Sequence, residues 1–151
     1  MALKGKLIGY VEISSDIEEF HGLWIHKGHH LASILPHTIH ACELLSGQRG
    51  VAGSVVQWEY TQEGKRKFVK QIIESVDNMN HTSVYKCVGG ELAEVYKSFT
   101  ISFHNEVKDG KQLVAWIFDF ERENTSVPYP TSVMDYVCDL FQQLDAHLSC
   151  K

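Results

Sequence analysis

The sequence predicts an α+β fold in which helices cover one face of a single curved antiparallel sheet. Three observations carry that expectation: an alternating run near the start, six further strand-like runs between residues 38 and 122, and a helical stripe after two prolines near the end. Short turn signals separate the strand-like runs, and such connections favour antiparallel neighbours, because parallel pairing needs a crossover of about a dozen residues or more.

Lys6 to Ile13 alternates, with Leu7, Gly9, Val11 and Ile13 on one face and Lys6, Ile8, Tyr10 and Glu12 on the other. Ser14, Ser15 and Asp16 are candidate N-caps, and Ile17, Phe20 and Trp24 recur at near-helical spacing, so a short helix should run to about Lys27 and end at Gly28. A second short apolar stretch, His30 to Leu35, stops at Pro36, whose ring removes a donor and disfavours helix in the residue before it. Strands are expected at 38–45, 54–61, 66–76, 81–88, 95–106 and 112–122, with turns at Glu63-Gly64, Asp77-Asn78, Gly89-Gly90 and Lys108-Asp109-Gly110. Pro128 and Pro130 cannot continue a central strand. Thr131 or Ser132 then caps a helix to about His147 that carries Val133, Val137, Phe141, Leu144 and Leu148 on one stripe. About 27 Å of helix is enough to lie across the whole sheet. No repeat, low-complexity tract or linker interrupts residues 1–151, which read as one domain.

Composition narrows the function. The formal charge of −5, from 14 Lys plus Arg against 19 Asp plus Glu, provides no net attraction to polyanions, so no nucleic-acid partner is expected. The first residues lack a signal-peptide core and no stretch approaches the ~20 apolar residues of a membrane span, which predicts a cytoplasmic protein without membrane insertion. Cys42, Cys87, Cys138 and Cys150 are scattered, without the short spacings of a disulfide or zinc framework, and read as free thiols.

Two constellations resemble functional motifs in part. Gly47, Gly50 and Gly53 form a glycine-rich loop, but a phosphate cradle needs a Lys-Ser/Thr pair and a following helix, whereas Ser54 to Trp58 reads as a strand. Positive φ at one or more of these glycines is the sufficient physical reason for them. Six of the nine histidines fall between His21 and His40, yet none has metal-site spacing, and they are read as surface imidazoles. No catalytic residue, metal ligand or cofactor is assigned.

The opening MALKGKL, His29-His30-Leu31, the GQRGVAGS loop from Gly47 to Ser54, Trp58-x-Tyr60, Glu94-x-Tyr96-Lys97-Ser98-Phe99, Pro130-Thr131-Ser132 and Asp145-Ala146-His147-Leu148 resemble the major latex protein-like proteins in order and spacing. That resemblance implies the helix-grip fold of the Bet v I and START-like superfamily: seven strands folded around the C-terminal helix, two short helices closing one end, and a large cavity between. It implies a defence- or stress-associated carrier or sensor of a hydrophobic or amphipathic small molecule such as a steroid, flavonoid or fatty-acid-like compound. The alternative is an isomerase or cyclase of specialised metabolism using the same cavity. The norcoclaurine synthase branch relies on a Lys in its last strand, and Leu113 to Phe118 contains none, which puts that chemistry in doubt.

Within that fold the concave face of the sheet becomes a pocket wall. Alternation places Trp116 and Phe118, with Val114 and Phe120, on one face of the last strand, and Phe99, Ile101 and Phe103 beside them. Tyr85 and Cys87 share that face if register holds, Trp58 and Tyr60 add aromatic surface with a polar tip, and Val137 and Phe141 face the cavity from the helix.

Overall fold

The computed structural model describes residues 3–149. Strand β1 (Lys4–Ile13) leads to helix α1 (Ile17–Ile25), a 3-10 turn at Gly28–His30 and helix α2 (Leu31–Ile34). Strands β2 (Ile39–Ser46), β3 (Val55–Gln62), β4 (Lys65–Asp77) and β5 (Thr82–Gly90) follow, then the short helix α3 (Glu91–Val95), strands β6 (Tyr96–Lys108) and β7 (Lys111–Arg122), and helix α4 (Thr131–Ser149). All seven strands form one antiparallel sheet in the order β1-β7-β6-β5-β4-β3-β2. From β2 to β7 the chain is a meander, while α1 and α2 carry it from one sheet edge to the other.

Strand ends lie within two residues of the expected ones, and the helix expected to start at Thr131 does so. The difference is α3, where the sequence was read as a turn at Gly89-Gly90. Gly90 has φ +92°, and a Cβ there would collide with the carbonyl of Phe68, so the chain reverses without a side chain. Five helical residues are too few to show a period, and α3 is held by burying Leu92.

Alternation sorts the strands as expected. Val114, Trp116, Phe118 and Phe120 are buried on β7 while Asp119 is exposed, and Phe99, Ile101 and Phe103 are buried on β6. Helix α4 lays Leu140, Phe141, Leu144 and Leu148 against the concave face and turns Asp139 and Gln143 to solvent.

The far end of α4 is pinned to the β1–α1 connection by one carboxylate. Asp145 accepts hydrogen bonds from the backbone N–H of Ser14 at 3.1 Å and of Ser15 at 2.9 Å, and from both serine hydroxyls. Of the three candidate caps only Asp16 caps α1, accepting from the Glu18 N–H at 3.2 Å. Burial alone would raise the Asp145 pKa, but the hydrogen bonds from Ser15 and Ser14 outweigh it and hold the carboxyl below its usual value. A depressed folded pKa stabilises the fold above the unfolded value, about 3.9, and that contribution disappears as pH falls through the folded value. Asp145→Ala should therefore cost about 2 kcal/mol at neutral pH. In urea melts the gap between variant and parent should narrow steadily below about pH 4.

Candidate functional site

Between the sheet and the first half of α4 lies a chamber of about 70 Å³. Its walls come from every layer of the fold. Trp58 and Tyr60 arrive from β3, Val69 and Gln71 from β4, Ile101 and Phe103 from β6, and Val133, Tyr136, Val137 and Leu140 from α4, with Trp24 of α1, Ile39 of β2 and Leu92 of α3 closing it. This is far less than the large cavity the resemblance implies. The reason is Trp24, whose ring stacks on Trp58 at 5.2 Å and meets Tyr85, Phe103 and Phe141 at 6.1, 4.8 and 5.1 Å. One side chain from the short-helix segment thus packs against rings of β3, β5, β6 and α4.

Of the residues singled out from sequence, Trp58, Tyr60, Ile101, Phe103 and Val137 line the chamber. Phe99, Trp116 and Phe118 are buried outside it, with Phe99 packed on Phe118 at 5.1 Å and Trp116 packed on Phe141 at 5.2 Å. Tyr85 and Phe141 border two small voids of about 10 and 20 Å³ on the other side of Trp24. Cys87 is buried behind Gln71. Sequence reasoning did not place Trp24, Gln71, Leu92, Tyr136 or Leu140 in the site. A signal existed for Gln71, which interrupts the inward apolar alternation of Val69 and Ile73. For Trp24 the helical spacing with Ile17 and Phe20 marked an inward face, but its position against the chamber is set by tertiary packing.

The lining is free of charge. Its only titratable groups are Tyr60 and Tyr136, and burial pushes both phenol pKa values well above the usual range, helped by Glu91 near Tyr60 and by Tyr60 itself near Tyr136. Both therefore stay neutral, and the Tyr136 hydroxyl donates to the carbonyl of Thr38 at 3.2 Å. Gln71 stands beside a register shift between β4 and β5, where its N–H₂ approaches the Cys87 sulfur at 3.9 Å. Its side-chain carbonyl oxygen is buried without a partner among the described residues.

Beyond Tyr60, Leu92 and Val133, which the two spaces share, an outer hollow of about 300 Å³ opens between α3 and the segment before α4. Lys67 pairs with Glu91 at its rim, 3.0 Å apart. Tyr96 fixes the opposite rim by donating to the carbonyl of Pro128 at 2.7 Å, and the Arg122 guanidinium lies over the Tyr129 ring at 4.8 Å.

Gly47, Gly50 and Gly53 all have positive φ, and a strand follows them. A Cβ on Gly50 would collide with the His26 ring, so the loop lies directly under the end of α1. His21 and His26 each donate to the side-chain carbonyl of Asn78, at 3.1 and 2.9 Å, tying α1 to the β4–β5 turn. Burial lowers the His21 pKa. Among the described residues no group of three or more His, Cys, Asp or Glu is placed to hold a metal. No helix among them is long and apolar enough to cross a membrane.

With sheet, grip helix and chamber in view, comparison with known proteins is decisive. Residues 2–151 match the profile of the pathogenesis-related protein Bet v 1 family. The chain belongs to the Bet v 1 family. Its relatives place it in the major latex protein branch: it is 32% identical over 149 residues to MLP-like protein 43 of Arabidopsis thaliana, covering 97% of this chain and 94% of that protein. It is 33% identical over 140 residues to MLP-like protein 34 of the same plant, covering 91% of this chain but 44% of that relative, so it spans less than half of the longer protein. The crystal structure of ginseng major latex-like protein 151 from Panax ginseng superposes with a TM-score of 0.90 at 37% identity, over 96% of this chain and 97% of that one. A norcoclaurine synthase point mutant from Thalictrum, in complex with a transition-state analogue, aligns over 97% of this chain and 96% of its own with a TM-score of 0.71 at 14% identity. That likeness concerns the Bet v 1 fold alone.

The buried thiols give a chemical check on this packing. Burial pushes Cys87 up to about 12 and also raises Cys42, against the opposing effect of Arg49. Because the thiolate is the reactive form, iodoacetamide at about pH 8 should leave Cys42 and Cys87 unmodified in the native protein. Peptide mass mapping should find both modified once urea unfolds it.

Proposed function

We propose that the protein is an intracellular, defence- or stress-associated plant carrier or sensor that holds a hydrophobic or amphipathic small molecule between its sheet and α4. The observation that carries this reading is the character of the chamber: aromatic and aliphatic walls around a few neutral polar groups, the usual make-up of a small-molecule site. Burial of apolar ligand surface there contributes about 25 cal/mol per Å². The polar groups set orientation.

Size and chemistry refine the reading. A cavity of ~150 Å³ is known to admit benzene, and the chamber is about half of that. A steroid- or flavonoid-sized molecule therefore places one end in the chamber and its bulk in the outer hollow. Catalysis by proton transfer needs a group whose pKa lies near the operating pH, and neither lining phenol meets that requirement. The stretch of β7 from Leu113 to Phe118 carries no Lys, and Lys111 at the strand's start is exposed and lies 3.9 Å from Glu12, which speaks against Schiff-base chemistry there. Binding is the reading these residues favour over isomerisation or cyclisation.

Titration with a fluorescent amphipathic probe should give one saturable site from which a steroid or flavonoid displaces the probe. Val137→Trp, which fills the chamber from α4, should weaken the probe by about tenfold or more while the circular dichroism spectrum is retained. Failure to saturate, or unchanged affinity in a folded Val137→Trp protein, would refute the carrier.

A further inference from the structure

We infer that Gln71 selects the ligand's buried end, and that this end is an uncharged hydroxyl-bearing group rather than a hydrocarbon edge or a carboxylate. The inference rests on the chamber being the binding site and goes beyond it by naming the chemistry that the inner wall accepts.

The first observation is the state of the Gln71 side chain. It is 5% exposed and lines the chamber, and its Oε1 is buried without a hydrogen-bond partner among the described residues. Its other end makes only a long contact of 3.9 Å to sulfur, a weak acceptor. Leaving a buried carbonyl unpaired is unfavourable, and the great majority of buried polar side-chain atoms have partners.

The second observation is where the backbone puts it. Along the β4–β5 ladder, Lys70 pairs with Gly89 but Gln71 pairs with Cys87, so β5 carries one extra residue at Val88. The bulge is on β5, so Gln71 keeps the inward alternation of β4, and such irregularities are over-represented next to active sites. Val69 and Ile73 continue the apolar face on either side, so a Leu or Val at 71 would have been the ordinary choice for a core.

The third is the absence of any Lys, Arg, His, Asp or Glu from the chamber lining. A carboxylate pushed inside would be buried with no counter-charge, which is far more costly than burying a neutral hydroxyl with a partner. Lys67, which lines the outer hollow, is already paired with Glu91 at 3.0 Å and contacts the Gln62 side chain at 3.5 Å. A hydroxyl both donates and accepts, so it satisfies the Gln71 amide whichever of its ends faces the chamber. A phenol or alcohol therefore enters hydroxyl first, and an acid keeps its carboxylate outside.

The test uses three ligands with one ring skeleton: 2-naphthol, naphthalene and 2-naphthoate. Each is titrated by tryptophan fluorescence into the full chain and into Gln71→Met, which keeps length and loses hydrogen bonding. In the parent protein 2-naphthol should bind about tenfold or more tighter than naphthalene, with 2-naphthoate weakest, because a site built around a buried polar group rejects the analogue that leaves it unpaired. Gln71→Met should remove most of the preference for 2-naphthol and leave naphthalene unchanged or tighter. Equal affinity for 2-naphthol and naphthalene in the parent, tightest binding of 2-naphthoate, or an undiminished preference in folded Gln71→Met would each overturn the inference while leaving the chamber as the site. Failure of all three to bind the parent would overturn the carrier reading as well. The parent series decides the question even if Gln71→Met does not fold.

Discussion

The Phe141 ring is the junction on which the arrangement depends. It is fully buried on α4 and meets Phe20 and Trp24 of α1, Phe103 of β6 and Trp116 of β7 at ring separations of 5.1 to 5.4 Å. Three of these contacts are close to edge-to-face, the geometry in which aromatic quadrupoles attract. One side chain thereby couples the grip helix, the first short helix and the two strands that follow edge strand β1 in the sheet. Because interiors are packed as densely as organic crystals, moving any of these rings requires the others to move.

That junction divides α4 into two halves with different work. Toward its C-terminal end, Leu144 and Leu148 are fully packed and Asp145 is locked to Ser14 and Ser15, so this part behaves as core. Toward its N-terminal end, Val133, Tyr136 and Val137 are only partly buried, packing against the core while lining the chamber. The same amphipathic stripe is thus structural at one end and ligand-facing at the other. Trp24 sits at the boundary, with its indole N–H buried and unpaired among the described residues.

How much was legible in the residues follows from the range of the interactions involved. Alternation along β6 and β7 was readable, because a period of two is local and the buried face is nearly all aromatic. Which of those buried aromatics would border open space was not readable. Trp116 and Phe118 point to the same face as Phe103, yet only Phe103 reaches the chamber, since Met134 and Phe141 of α4 cover Trp116. A cavity is the place where packing stops, and where it stops depends on every surrounding element at once.

Hydrophobic period, turn residues and the two prolines before Thr131 determined by themselves the strand count, the antiparallel meander and the long final helix, because each acts within a few residues along the chain. The glycine-rich loop was determined in the same way, since positive φ is a backbone property of its own residues. Only the tertiary structure decided that Trp24 packs against Trp58, Phe103 and Phe141, that α3 brings Leu92 to the chamber wall, and that Gln71 lines the chamber with its carbonyl unpaired. Those three outcomes are contacts between segments far apart in the chain, and their geometry is set by the sheet's curvature and by the packing of α1 and α4, which no local pattern encodes.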